Sequence, residues 1–354
     1  MKNIKAYGTY SATEDLQPMQ IERRSVQPKD VEIKILYCGV CHSDIHTARS
    51  EWGAAKYPVV PGHEIVGEVI SLGSEVSNFK LGDVVGVGCM VDSCRNCESC
   101  EQGLEQYCES GAIMTYGGKD KHLGGHTLGG YSEKIVVDED FVLRIPKNLE
   151  LAKVAPLLCA GITTWSPLKH WKVKAGDKVG VIGLGGLGHM GIKFASAMGA
   201  KVVMITTSSE KAKDAKLLGA DEVLISSDNE QMKAHRNSFD FLLNTIPVGH
   251  NIDPYTSLLK RDATMVLVGA IEPLTHVNAG LLVSKRKNIA GSLIGGIAET
   301  QEMLEFCGEH QILPEVEMLD IQNINEAWER MLRSDVKYRF VIDMQSLKKV
   351  EEIS

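Results

Sequence analysis

No apolar run in the 354 residues is long enough to span a bilayer, which sets aside the membrane-spanning classes. An export signal is also missing from the start of the chain: Met1-Lys-Asn-Ile-Lys-Ala-Tyr passes straight into alternating, strand-like sequence, so the expected compartment is the cytoplasm. Positive charge is in deficit. With 38 Lys and Arg against 46 Asp and Glu, the formal charge is -8, and the diffuse attraction behind non-specific nucleic-acid or anionic-membrane binding is lacking. Neither partner is expected. A zinc-finger nucleic-acid module would need a basic face, which this composition does not supply. Repeats and low-complexity tracts are absent as well.

What remains is an ordinary globular composition, 44% hydrophobic and 24% charged, in a chain longer than one core usually serves. Two domains are expected. Nine cysteines without an export signal point to metal rather than disulfides, because the cytosol keeps thiols reduced. From Lys2 to about Lys80 the pattern is short strands and turns, with Val31-Glu-Ile-Lys-Ile-Leu-Tyr and Glu64-Ile-Val-Gly-Glu-Val-Ile alternating. A rolled β domain fits. Near Lys178 the rhythm changes to an apolar strand, a glycine turn, a helix-like run from Leu187 to Met198, and Lys201-Val-Val-Met-Ile, which together form a βαβ unit. Strand candidates at Glu222-Val-Leu-Ile, Phe239-Asp-Phe-Leu-Leu and Thr264-Met-Val-Leu-Val extend it into a doubly wound parallel sheet. A helix near Asn325 to Leu332 and a strand at Tyr338-Arg-Phe-Val-Ile follow.

Cys94, Cys97, Cys100 and Cys108 lie within fifteen residues, at spacings that let one loop wrap four thiolates around a tetrahedral ion. Asp92, Glu98, Glu101 and Glu105 leave this loop little apolar surface of its own, so the metal is expected to hold its shape. Four sulfurs close the coordination sphere, which makes this zinc structural rather than catalytic. A second set is less self-evident: Cys41 and His63-Glu64 sit on separate strand-like segments, each beside a glycine, Gly39 and Gly62, that permits a sharp turn. They could converge on a metal, or be unrelated core residues. Cys38 and Cys41 also form a CxxC, the spacing of a dithiol redox pair, a reading set aside because Cys38 falls in a strand expected to be buried and Cys41 is claimed by the metal.

Val179-Gly-Val-Ile runs into Gly183-Leu184-Gly185-Gly186-Leu187-Gly188 and then a helix, the context in which a GxGxxG pattern binds a dinucleotide pyrophosphate. Gly183 serves the tight turn, Gly185 the approach of the pyrophosphate, and Gly188 close packing of helix on strand. The alternative is a glycine-rich turn without a ligand. Where NAD enzymes place a carboxylate against the ribose, the second strand ends in Thr206-Thr207-Ser208-Ser209. Hydroxyls, backbone amides and Lys211 suit a 2′-phosphate, so NADP(H) is the expected cofactor. Glu210 is a carboxylate nearby, and Lys211 could equally be a solvated helix residue.

Taken together, Gly39-Val-Cys41-His-Ser-Asp, Gly62-His-Glu64, the four-cysteine loop, Cys159-Ala-Gly-Ile-Thr163 and the glycine loop resemble the zinc-containing medium-chain alcohol dehydrogenases. The likeness is greatest to the cinnamyl alcohol dehydrogenase group with its broad-specificity aldehyde reductases, and it covers nearly the whole chain. It implies a GroES-like β domain, residues 1–155 and 298–354, with a Rossmann NADP-binding domain, residues 156–297, inserted and the active site in the cleft. It further implies a catalytic zinc on Cys41, His63 and Cys159, with Glu64 beside it as an alternating ligand or electrostatic tuner. That makes two zincs per chain. Ser43 would hydrogen-bond the substrate oxygen, His46 would link the cofactor ribose to solvent as a proton relay, and Thr163 would support the nicotinamide. Trp52, Cys89, Met114 and Leu293 would line an apolar pocket for aromatic or medium aliphatic aldehydes and primary alcohols, whereas each could be ordinary core. Helix capping is the other reading of Ser43, and an exposed helical position that of His46. Cys89 and Cys307 have no metal partner in this scheme. A homodimer through the Rossmann domain is implied, with Ala290-Gly-Ser-Leu-Ile a candidate interface. The competing function is an NADPH-binding zinc protein of the same superfamily without dehydrogenase activity.

Overall fold

Strand formation begins at once. In the computed structural model, which describes residues 2–269 and 272–349, β1 (Lys2–Gly8) pairs antiparallel with β2 (Gln17–Arg23). The spine of the first part is β3 (Asp30–Val40), whose Val31, Ile33, Ile35, Cys38 and Val40 are all buried. Each such aliphatic side chain contributes about 1.5–3 kcal/mol on leaving water. β3 feeds directly into the helix His42–Ala48 and pairs antiparallel with β4 (Ile65–Leu72), which carries β5 (Val84–Val87) on its other side. A separate short pair, β6 (Met90–Asp92) and β7 (Ile113–Met114), brackets the four-cysteine segment. β8 (Lys134–Asp138) returns to β3, and β9 (Leu143–Arg144) ends the sheet against β5.

By its contacts the chain divides into two units, Met1–Cys159 with Gly295–Ser354, and Ala160–Ile294. Residues 1 and 350–354 of the expected first domain, and residues 270 and 271 of the second, lie outside the described residues. The second unit is one six-stranded parallel sheet: β10 (Lys178–Ile182), β11 (Lys201–Thr206), β12 (Glu222–Ile225), β13 (Phe239–Asn244), β14 (Leu259–Leu267) and β15 (Asn288–Gly291), in the order β12-β11-β10-β13-β14-β15. Burial on both faces explains their nearly unbroken apolar runs. Ile182, Val203, Ile205, Leu224, Phe239, Leu242 and Met265 form a continuous core. Its order reverses between β10 and β13, the switch point at which doubly wound sheets open a crevice.

The chain returns to the first unit through the helix Ile297–His310, β16 (Val316–Asp320), the helix Ile324–Leu332 and β17 (Arg339–Asp343). β17 joins the opening sheet antiparallel to β3, with Phe340 opposite Val40 and Ile342 opposite Cys38. That register brings Arg339 to the end of β3 where Cys41 begins the next helix. The fold is thus the GroES-like β domain with an inserted doubly wound Rossmann sheet that the motifs implied. Among the described residues, no helix is long and apolar enough to cross a membrane.

Candidate metal centres and cofactor loop

Cys41 is the N-cap of the helix His42–Ala48, in extended conformation, with its backbone N–H donating to the Asp44 carboxylate at 2.9 Å. The cap is therefore Cys41 and not Ser43, whose hydroxyl lies 3.5 Å from the Cys41 sulfur. His63 follows Gly62, whose φ of 101° is one a side chain rarely adopts. A Cβ at Gly39 would collide with the Glu64 carboxylate, so the glycine on β3 makes room for that acid. Cys159 arrives from a short helical turn, Ala155–Leu158, and its sulfur stands 3.9 Å from that of Cys41. One donor atom from each of Cys41, His63, Glu64 and Cys159 falls within 4.8 Å of all the others, and all four residues are buried.

The electrostatics of this cluster ask for a cation. Hydrogen bonding from Cys159, with Arg339 and His63 nearby, draws the Cys41 thiol well below its ordinary value, and the same contact drives Cys159 well above it. Two sulfurs so close hold one proton between them unless a metal replaces it. Burial, opposed by Arg339, raises the Glu64 carboxyl to about 7. Its Oε1 is held by the Arg339 guanidinium, while Oε2 is buried without a hydrogen-bond partner. His63 Nδ1 is engaged by Asp44 at 3.2 Å, leaving Nε2 on the side of the Cys41 sulfur. Two sulfurs, one imidazole nitrogen and a carboxylate oxygen in a buried pocket suit zinc.

Cys94, Cys97, Cys100 and Cys108 form the second cluster, again within 4.8 Å. Backbone amides complete it: Cys94 N–H points to the Cys108 sulfur and Glu109 N–H to that of Cys97, each at 3.4 Å. The N–H of Asn96 leads the causes that lower the Cys94 thiol to about 6. Four thiols with no carboxylate or imidazole among them match a closed tetrahedral site. Cys38 and Cys307 are buried outside both clusters, so the CxxC is not a dithiol pair; Cys41 is turned to Cys159 instead.

The remaining expected residues are dispersed. His46 Nδ1 pairs with the Glu51 carboxylate, and its ring stacks on Trp52 at 4.7 Å. Trp52 is partly exposed on that stack. Cys89 is buried beside Cys159, with its thiol toward the Leu158 carbonyl at 3.7 Å. Met114 lies next to it in the β6–β7 pair, where Thr115 N–H donates to the Cys89 carbonyl. Leu293 and Thr163 belong to the other unit, Leu293 half-exposed and Thr163 buried in the helix Ala160–His170.

In that unit, Gly183 turns with φ of 94°, and a Cβ on Gly188 would strike the Gly183 carbonyl. At Gly185, by contrast, a Cβ would meet nothing within 4 Å, so the loop is open where a pyrophosphate would lie. The loop runs Gly183, Leu184, Gly185, Gly186, Leu187 and Gly188 into the helix Gly188–Ala197. Thr206 ends β11, Ser208 caps the turn Ser209–Lys211 through Glu210 N–H, and Lys211 Nζ reaches back to the Leu184 carbonyl at 3.4 Å. Lys211 is thus folded toward the glycine loop, and Thr207 and Ser209 lie on the segment that leads from β11 to it.

Several side chains at these sites escaped the sequence reading. Asp44 and Arg339 orient His63 and Glu64, Glu51 holds His46, and Thr245 donates to the Ile182 carbonyl behind the glycine turn. Only Asp44 had a local signal, an acid three residues past a helix cap.

Comparison with known proteins agrees with this geometry. Residues 27–147 match the family model of the alcohol dehydrogenase GroES-like domain, and residues 186–309 that of zinc-binding dehydrogenases. The chain is 59% identical over 346 residues to the aldehyde reductase YahK of Escherichia coli (strain K12), covering 97% of this chain and 99% of that one. A cinnamyl alcohol dehydrogenase of Sorghum bicolor, SbCAD4, superposes with a TM-score of 0.94 at 44% identity, covering 97% of this chain and 98% of its own. The Helicobacter pylori CAD complexed with NADP(H) gives a TM-score of 0.91 at 42% identity, with 97% and 99% covered. The likeness read from the motifs is borne out, and the chain belongs to the zinc-containing medium-chain alcohol dehydrogenases, in their cinnamyl alcohol dehydrogenase group.

Proposed function

We propose that this enzyme transfers hydride reversibly between NADP(H) and primary alcohols or aldehydes, aromatic and medium aliphatic, using one catalytic and one structural zinc. The observation that carries this is the buried convergence of Cys41, His63, Glu64 and Cys159 with the Ser43 hydroxyl 3.5 Å from one of its sulfurs. When bound there, zinc supplies Lewis acidity toward the substrate oxygen, and the nicotinamide supplies or accepts the hydride. The chain's own residues do the rest. Cys41, His63 and Cys159 hold the metal, with Glu64 available through its unpartnered oxygen. Ser43 binds the substrate oxygen and passes its proton, and His46, kept in place by Glu51 and Trp52, hands it to solvent. Cys89, beside Cys159, is assigned with Trp52 and Met114 to the apolar lining on the first unit.

The first unit is assigned catalysis and the Rossmann unit NADP(H). The glycine loop takes the pyrophosphate; Thr206, Thr207, Ser208, Ser209 and Lys211 take the 2′-phosphate; Thr163 supports the nicotinamide. Lys211 lying against Leu184 favours a phosphate over a bare ribose hydroxyl. Homodimerisation through β15 is supported by its position at the sheet edge, two residues before the half-exposed Leu293. The proposed compartment is the cytoplasm.

The test follows NADPH absorbance, and separately NADH, with cinnamaldehyde, benzaldehyde and a short aliphatic aldehyde, and determines zinc on the same sample. NADPH consumption with about two zincs per chain is the expected result. No turnover with both zincs present would favour the NADPH-binding reading instead.

A further inference from the structure

Asp44 is wholly buried, yet it accepts four hydrogen bonds from three separate stretches of chain. Cys41 N–H donates to Oδ2 at 2.9 Å, Gly62 N–H to Oδ1 at 3.1 Å, and His63 Nδ1 to Oδ1 at 3.2 Å. The fourth donor is the Tyr131 hydroxyl, at 3.1 Å from Oδ2. Tyr131 is fully buried and holds the same neighbourhood by two further means. Its backbone N–H donates to the Pro61 carbonyl at 3.0 Å, while Gly130 N–H donates to that of Gly62 at 2.8 Å. Its ring packs so closely that a Cβ on Gly62 would come within 2.7 Å of Cδ1. A phenylalanine would fill this space equally well, so packing does not account for the hydroxyl.

We propose that Tyr131 is a positioning residue for the catalytic zinc, its hydroxyl fixing the Asp44 carboxylate that orients the His63 imidazole. The inference rests on the zinc assignment above. A carboxylate partner sets the tautomer, direction and basicity of a metal-bound histidine, and losing such a partner typically lowers metal affinity or activity about 10- to 100-fold. Tyr131 acts one bond further out, so the effect belongs at the lower end of that range. Without its hydroxyl the carboxylate keeps the Cys41, Gly62 and His63 donors but loses the one on the far side of Oδ2, so its aim at Nδ1 is set less firmly.

Zinc release to a chromogenic chelator separates this role from a general structural one. In the parent, two phases are expected, and the one lost in Cys159→Ala belongs to the catalytic site. In Tyr131→Phe that phase should run about ten-fold faster and kcat should fall about as much, with the four-cysteine phase and the KM for NADPH unchanged. In an Asp44→Asn background the same replacement should add less than about two-fold, because the route through the carboxylate is already broken. Release at the parental rate, equal acceleration of both phases, or an undiminished effect beside Asp44→Asn would each overturn the proposal. A parent without zinc at the site that Cys159→Ala removes would instead take down the zinc assignment, and this inference with it.

Discussion

Replacing Arg339 by methionine isolates the pair behind the mixed metal cluster. Arg339 and Glu64 have side chains 4% and 0% exposed, and the guanidinium is the charge that opposes burial at the carboxyl. Breaking a buried pair by removing one partner costs about 3–5 kcal/mol, because the other charge is left in a low dielectric. Proton uptake limits the loss in the zinc-free protein: there the Glu64 carboxyl sits at about 7 even with Arg339 present, so near neutral pH the orphaned acid takes a proton instead of remaining charged. The lower end of the range, about 3 kcal/mol, is therefore expected. Urea unfolding checks it, with the loss falling on the transition of the first unit and the Rossmann unit unaffected, since two units need not melt together. The companion is the same change in a Glu64→Gln background, where no charge is stranded and the cost should fall to about 1 kcal/mol. An equal cost in both backgrounds would refute the argument and reduce Arg339 to packing.

Further outcomes follow from the same geometry. Cys159→Ala should retain the four-cysteine zinc, lose the other, and turn over aldehyde at no more than about one-hundredth of the parental rate; equal turnover in a metal-verified sample would remove Cys159 from the site. Ser208→Ala with Lys211→Ala should raise the KM for NADPH about ten-fold or more while leaving NADH nearly unchanged, and an unaltered preference would reject their role at the 2′-phosphate. Cys100→Ser opens the closed cluster and should cost one zinc and several degrees of thermal stability, with the per-site kcat of the surviving protein within about two-fold of the parent. A kcat collapse with stability intact would contradict a purely structural zinc.

How much could be read in advance depended on how local each signal was. Four cysteines in one short loop announce themselves by spacing. The run from Leu187 to Met198 became the helix Gly188–Ala197, and the three later strand candidates became β12, β13 and β14, because apolar runs cut by glycine leave few alternatives. Cys41 and Cys159, 118 residues apart, meet only because β3, β4 and the turn before Cys159 pack together. Nothing between them fixes that separation, and the pairing came from likeness to a family. Arg339 is harder still. Its sequence distance from Glu64 is 275 residues, and an arginine opening an apolar strand reads as a surface end until β17 is known to lie against β3. Tyr131 and Asp44 were overlooked for another reason: a tyrosine after two glycines and an acid in a first helical turn both have ordinary explanations, and only their shared hydrogen bond sets them apart.

The excursion of the chain from Ala160 to Ile294 leaves every side chain of both metal clusters on one side of the break, since Cys159 is the final residue before departure. The nucleotide contacts proposed above and the two metal clusters therefore lie on separate stretches of the chain. Exchange of residues 160–294 would replace the 2′-phosphate contacts proposed above without touching a single sulfur, imidazole or carboxylate donor. An ancestor could change its electron currency in one crossover while its metal chemistry stayed as it was.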